Sequence, residues 1–110
     1  MKRVLIADDE PIERMIVTRT IQKYFPEELA VVSAVNGREA VEQFFAENCQ
    51  IALLDIEMPE KDGMSLAASL RRHLPLSLII FITSHTQYAV KAYELSVFRY
   101  IPKSEMETCL

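Results

Sequence analysis

The sequence predicts an α/β fold built on a doubly wound, five-stranded parallel sheet, and three observations lead there. Short uninterrupted apolar runs recur along the chain, each is followed by an amphipathic stretch with helical spacing, and prolines or turn residues separate the two kinds of segment. A strand buried on both faces reads as a continuous apolar run, and parallel neighbours need a helical crossover between them. With 110 residues, half of them apolar and a quarter charged, residues 1–110 make one soluble domain with enough apolar content for a core of its own.

The elements follow in order. Val4-Leu5-Ile6-Ala7 is a buried strand that stops at Asp8-Asp9-Glu10. Pro11 then suits the first turn of a helix, where acidic neighbours favour the dipole. That helix runs to about Tyr24, with Val17, Ile21, Tyr24 and Phe25 on its apolar face and Pro26 closing it. Leu29 to Val35 is the second strand, and Asn36-Gly37 is a turn signal. The second helix turns Ala40, Val41, Phe44 and Phe45 to one side and ends near Asn48. Ile51-Ala52-Leu53-Leu54 is the third strand, ending at Asp55. Gly63 precedes a third helix with Leu66, Ala67, Leu70 and Leu74 in register, which Pro75 ends. Leu78 to Ile82 is the fourth strand, ending at Thr83-Ser84. A fourth helix over about Gln87 to Leu95, a fifth strand over Val97 to Ile101 and a fifth helix from near Lys103 complete the series. Right-handed crossovers leave 2-1-3-4-5, the flavodoxin-like order, as the expected arrangement. The last helix has only about eight residues before the chain stops, so the chain is expected to be cut inside it.

Composition removes several function classes. Gly37 and Gly63 are the only glycines, too few for a dinucleotide fingerprint, and neither is followed by the Lys-Ser or Lys-Thr of a Walker A loop. Cys49, Cys109, His73 and His85 are scattered away from zinc spacing. A net charge of -4 disfavours direct nucleic-acid binding by this domain. The longest apolar run, Leu78 to Ile82, cannot span a membrane, and the N-terminus lacks the form of a signal peptide, so a cytoplasmic chain with reduced thiols is expected. Ser84-His85 lacks the G-x-S-x-G elbow of a hydrolase.

In an open parallel sheet, ligands bind beyond the carboxyl ends of the strands where strand order reverses, here between the first and third strands. The first strand ends in Asp8 and Asp9, the third in Asp55 and the fourth in Thr83; Lys103 follows the fifth. Three gathered carboxylates repel one another and call for a cation. Mg²⁺ suits them, being hard, oxygen-seeking and able to keep water positions open for a phosphate. Such a site fits phosphoryl transfer, with Asp55, central in the crevice, as the acceptor carboxylate.

These residues, with Asp55-Ile56-Glu57-Met58-Pro59 running on to Asp62-Gly63, resemble the receiver domain of two-component response regulators over essentially the whole chain. The resemblance implies phosphorylation of Asp55 by a sensor histidine kinase. It implies Mg²⁺ on Asp9 and Asp55 through their side chains, on Glu57 through its carbonyl, and on Asp8 largely through water. Lys103, Thr83 and the N–H groups of Ile56 and Ser84 would hold the phosphoryl group, and Tyr100 falls at the family's switch aromatic. The face made by the fourth helix, fifth strand and fifth helix would then repack and serve partners or a homodimer. Ser104 stands where the family has a proline after the lysine, and a cis bond there would cost about 3 kcal/mol. Residues Tyr88 to Tyr100 are similar to receivers that precede LytTR-type DNA-binding domains, whereas Val4 to Met15 is similar to those joined to AraC-type domains, so DNA would be met through a further C-terminal domain. Two alternatives stand beside this switch: a receiver-like interaction module that works without phosphorylation, and a small phosphatase using Asp55 with Glu57 as a second acid.

Overall fold

All strand pairings are parallel in the five-stranded sheet of the computed structural model, and its order is β2-β1-β3-β4-β5. The structure describes residues 2–56, 58, 62–73, 78–83 and 99–102, with the side chains of 73, 83, 99 and 100 left aside. The elements are β1 (Lys2–Ala7), α1 (Pro11–Tyr24), β2 (Leu29–Ala34), α2 (Gly37–Ala46), β3 (Ile51–Leu54), α3 (Gly63–His73), β4 (Leu78–Thr83) and β5 (Arg99–Pro102). The expected strand order therefore stands, as does the alternation of strand and helix from β1 to β4. The expected fourth and fifth helices, Leu74, Val97 and Phe98 lie outside the described residues.

Alternation along each strand splits the core into two layers. Leu5, Ala7, Ala52, Leu54, Ile79 and Phe81 face α2 and α3, meeting Ala40, Phe44, Leu66, Ala67 and Leu70. Val4, Ile6, Leu53, Ile82 and Ile101 face the other way, where Val17 and Ile21 of α1 cover them. Helices thus pack on both faces of the sheet, as continuous apolar strands require, with Leu29, Val31, Ile51 and Ile80 partly buried on the α1 side.

Four local expectations need correction. First, β1 begins at Lys2 rather than Val4, because Lys2 and Arg3 pair with Leu29 and Ala30 of the edge strand while their side chains stay exposed. Second, Tyr24 is 47% exposed, and α1 instead buries Thr20, whose hydroxyl donates to the Ile16 carbonyl at 2.8 Å and so costs the core no unmet donor. Third, Phe45 is exposed whereas Phe44 is fully buried. A 100° step separates successive residues on a helix, so only one of the two can face the sheet; the Phe45 ring rests edge-on against Phe44. Fourth, Asn36-Gly37 opens α2 directly: the Asn36 side chain accepts from the Glu39 N–H at 2.8 Å, a helix cap rather than a free turn.

The end of α2 explains how Cys49 is buried. Asn48 takes φ 53, in the left-handed region. Its N–H bonds to the Phe45 carbonyl, and the N–H of Cys49 bonds to that of Phe44, at 3.3 and 3.0 Å. This is a Schellman closure, and it brings the Cys49 side chain into the core beside Phe44. Burial, and next the Glu47 carboxylate, push the thiol above the ordinary range, with Arg3 pulling the other way.

Phe44→Ala should destabilise the fold by about 3–5 kcal/mol, while Phe45→Ala costs under about 1.5 kcal/mol; urea midpoints of the two variants separate the readings. The raised Cys49 value means that the folded chain holds the thiol proton to higher pH than the unfolded chain does. The stability tied to it is full below the unfolded value and is lost as pH climbs through to the folded one. Urea midpoints should therefore fall above about pH 8.5, and fall less in Cys49→Ala.

Candidate functional site

The pairing of β1 with β3 runs from Val4↔Ile51 to Ala7↔Leu54. The residues that follow this last pair, Asp8 and Asp55, leave the sheet at the same level, and the bond from the Asp55 N–H to the Ala7 carbonyl, at 2.9 Å, carries the ladder one step further. Since β1 sits between β2 and β3, this is the point where strand order reverses.

Each acidic residue is held by the main chain around it. The N–H of Asp8 donates to the Ala34 carbonyl at the end of β2, at 3.2 Å. Its Oδ1 accepts from the Glu10 N–H at 3.0 Å. Glu10 takes the capping position of α1 but makes no side-chain cap; Pro11 follows as the first helical residue, where no N–H is needed. Asp55 Oδ1 accepts from the N–H of Ile56 at 2.8 Å, in a buried bond. The Ile56 N–H that sequence reasoning assigned to a phosphoryl oxygen is thus engaged here with the aspartate itself.

The start of α3 lies against the end of β3 at Gly63. Its N–H bonds to the Ile56 carbonyl at 2.6 Å. A Cβ on Gly63 would lie 2.8 Å from Ile56 Cα and 2.9 Å from the carbonyl carbon of Asp55, and closer still to the Asp55 carbonyl oxygen. Glycine is needed there for close approach, because no glycine of the described residues has positive φ. Asp62 caps α3 by accepting from the Ser65 N–H at 2.8 Å, and Met58 is buried in the core.

Of the residues singled out from the sequence, Asp8, Asp9 and Asp55 come together: each offers an oxygen, and these oxygens lie within 4.8 Å of one another. Asp8 and Asp55 are buried and Asp9 is half-buried. Thr83 ends β4, in register with Pro102, and Tyr100 stands in register with Phe81. Glu57, Ser84 and Lys103 lie outside the described residues. Sequence reasoning missed Arg14, whose Nη1 donates to the Asp8 carbonyl at 2.8 Å. A cation in the first turn of a helix opposes the dipole, and that misfit was the available signal.

The donor set fits a hard divalent cation. Oxygens around octahedral Mg²⁺ stand about 3 Å apart when adjacent and about 4.2 Å when opposite, so the three carboxylates would draw closer on binding or hold the ion partly through water. Adding Mg²⁺ at about a hundredfold above its dissociation constant should raise stability by about 2.7 kcal/mol. Asp9→Asn should abolish that gain while raising metal-free stability by about 1 kcal/mol, since one repelling charge is gone. Thermal melts with and without Mg²⁺ read both effects.

Among the described residues, no helix is long and apolar enough to cross a membrane. The chain is 36% identical over 100 residues to the positive alginate biosynthesis regulatory protein of Pseudomonas aeruginosa, covering 91% of this chain and 40% of that protein. It is 34% identical over 103 residues to the transcriptional regulatory protein LytR of Staphylococcus aureus, covering 92% and 41%. It therefore spans about two-fifths of the length of the curated relatives it matches. The solved structure of the response regulator protein TrrA of Thermotoga maritima, in complex with Mg²⁺-BeF, superposes with a TM-score of 0.83 at 30% identity over the whole of both chains. Residues 4–110 match the response regulator receiver domain, and with the acidic cluster standing at the switch point of the sheet, the chain belongs to that family.

Proposed function

We propose that this chain is a phosphoacceptor switch in which Asp55 takes a phosphoryl group from a phosphohistidine of a sensor kinase. The observation that carries this reading is the gathering of Asp8, Asp9 and Asp55 within 4.8 Å at the carboxyl edge of the sheet. An Asp55 oxygen attacks phosphorus as the N–P bond of the donor breaks, and the imidazole keeps the electron pair. Asp8, Asp9 and Asp55, with the Glu57 carbonyl, would hold Mg²⁺. Bound there, the cation supplies positive charge for the phosphoryl oxygens. Burial of Asp8 and Asp55 lowers the effective dielectric and strengthens every such charge interaction. Lys103 would pair with the phosphoryl oxygens, Thr83 and the Ser84 N–H would bond to them, and the Ile56 N–H would do so by exchanging its bond to Asp55 Oδ1 for one to a phosphoryl oxygen.

An aspartyl phosphate adds nearly two negative charges. Thr83 and Lys103 would be drawn toward it, Tyr100 would turn inward, and the face built around β5 would change its packing and serve a partner or a second copy of the chain. Residues 1–110 act in this reading as one receiver domain. Its relatives are much longer, and we assign the downstream step to a DNA-binding output domain, so that the whole protein regulates transcription in the cytoplasm. Catalysis is confined to the domain's own phosphotransfer and dephosphorylation.

Incubation with acetyl phosphate and Mg²⁺ should add one phosphoryl group to the intact mass, and Asp55→Asn should remove that gain. No gain, with partner binding indifferent to Mg²⁺, would favour the interaction module; repeated turnover of a small phosphate ester would favour the phosphatase.

A further inference from the structure

Arg14 reaches back over the first turn of α1. Its own N–H makes a helix bond to the Glu10 carbonyl, at 2.9 Å, while Nη1 donates to the Asp8 carbonyl at 2.8 Å. The residue thereby closes the turn between β1 and α1 with main chain and side chain together. Its charge is misplaced with respect to the helix dipole, and a charge-assisted bond to a carbonyl offsets that.

The Asp8 carbonyl and the Asp9 N–H belong to one planar peptide unit. Holding the carbonyl fixes the plane from which the Asp9 side chain departs. Asp8 is held at two further points, its N–H on Ala34 and its carboxylate on the Glu10 N–H. The three bonds act on different atoms: the bond from Glu10 closes a ring around the Asp8–Asp9 peptide, and the one from Arg14 holds the carbonyl of that same peptide.

We propose that Arg14 is a positioning residue of the acidic pocket: its guanidinium clamps the Asp8–Asp9 peptide so that both carboxylates stay turned toward Asp55, and it thereby sets the pocket's affinity for a divalent cation without touching that cation. This rests on the metal-binding reading above. Its signature is local, an effect on the turn and on cation affinity that exceeds any effect on the fold.

Arg14→Met and Arg14→Lys in the full chain test it by two measurements. In metal-free protein, the Glu10 amide, which donates to Asp8 Oδ1, should exchange roughly tenfold faster in Arg14→Met, the ratio that one charged hydrogen bond corresponds to, with the amides of α2 and β4 unchanged. Mg²⁺ titrated calorimetrically should bind roughly tenfold more weakly to Arg14→Met, and Arg14→Lys should recover part of the loss in both measurements. Tighter Mg²⁺ binding by Arg14→Met would show simple charge repulsion and overturn the clamp. Unchanged binding, or a rise in exchange spread over the whole chain, would also overturn it. If the wild-type chain itself fails to bind Mg²⁺, the metal reading falls, and the local exchange effect alone decides whether the clamp exists.

Discussion

The in-register pairing of β1 with β3 is the constraint on which the site depends. Ala7 and Leu54 close the ladder, so the next residue of each strand, Asp8 and Asp55, emerges side by side at the same edge. A slip of one residue would move one acid along the edge and turn its strand's apolar set to the wrong face. The two core layers oppose such a slip, because Leu5, Ala7, Ala52 and Leu54 must all face α2 and α3. Burial of apolar side chains therefore fixes where the carboxylates stand.

Gathering three carboxylates costs free energy through mutual repulsion, and the fold meets that cost mostly with main-chain atoms. N–H groups of Glu10 and Ile56 point at the Asp8 and Asp55 carboxylates. The amino end of α1 faces the same edge and favours negative charge. Gly63 lets the start of α3 lie against the Asp55 backbone, while Met58 is buried in the core. The acids are thus held within 4.8 Å of one another by main-chain contacts on either side of the switch point.

Much of this was legible in the chain. Pro11 and Pro26 bracket α1, and the helix spans Pro11–Tyr24 as their positions imply. The apolar runs of β3 and β4 end where acidic or hydroxyl residues begin, and the strands end there too. Spacing was less informative at helix flanks. Tyr24 follows Val17 and Ile21 at helical intervals, yet lies in the last turn of α1, with Lys23 Nζ 5.1 Å from its ring centroid. Val41, Phe44 and Phe45 all count as apolar, but the sheet accepts Phe44 and leaves Phe45 at its margin. The Asn36-Gly37 pair marks a change of direction in either reading, and only the neighbouring Glu39 N–H makes it a helix cap.

By itself the sequence determined the order of strands and helices, the acidic residues at the strand ends and the chemistry they could support, because these follow from local periodicity and from side-chain type. Tertiary structure alone decided that Arg14 meets the Asp8 carbonyl, that Gly63 presses on the Asp55 backbone, and which flank residues are buried. Those depend on distances of a few ångströms between segments far apart in the chain. Hydrophobic pattern specifies which face turns inward, but how closely two backbones approach is set by packing once both are in place.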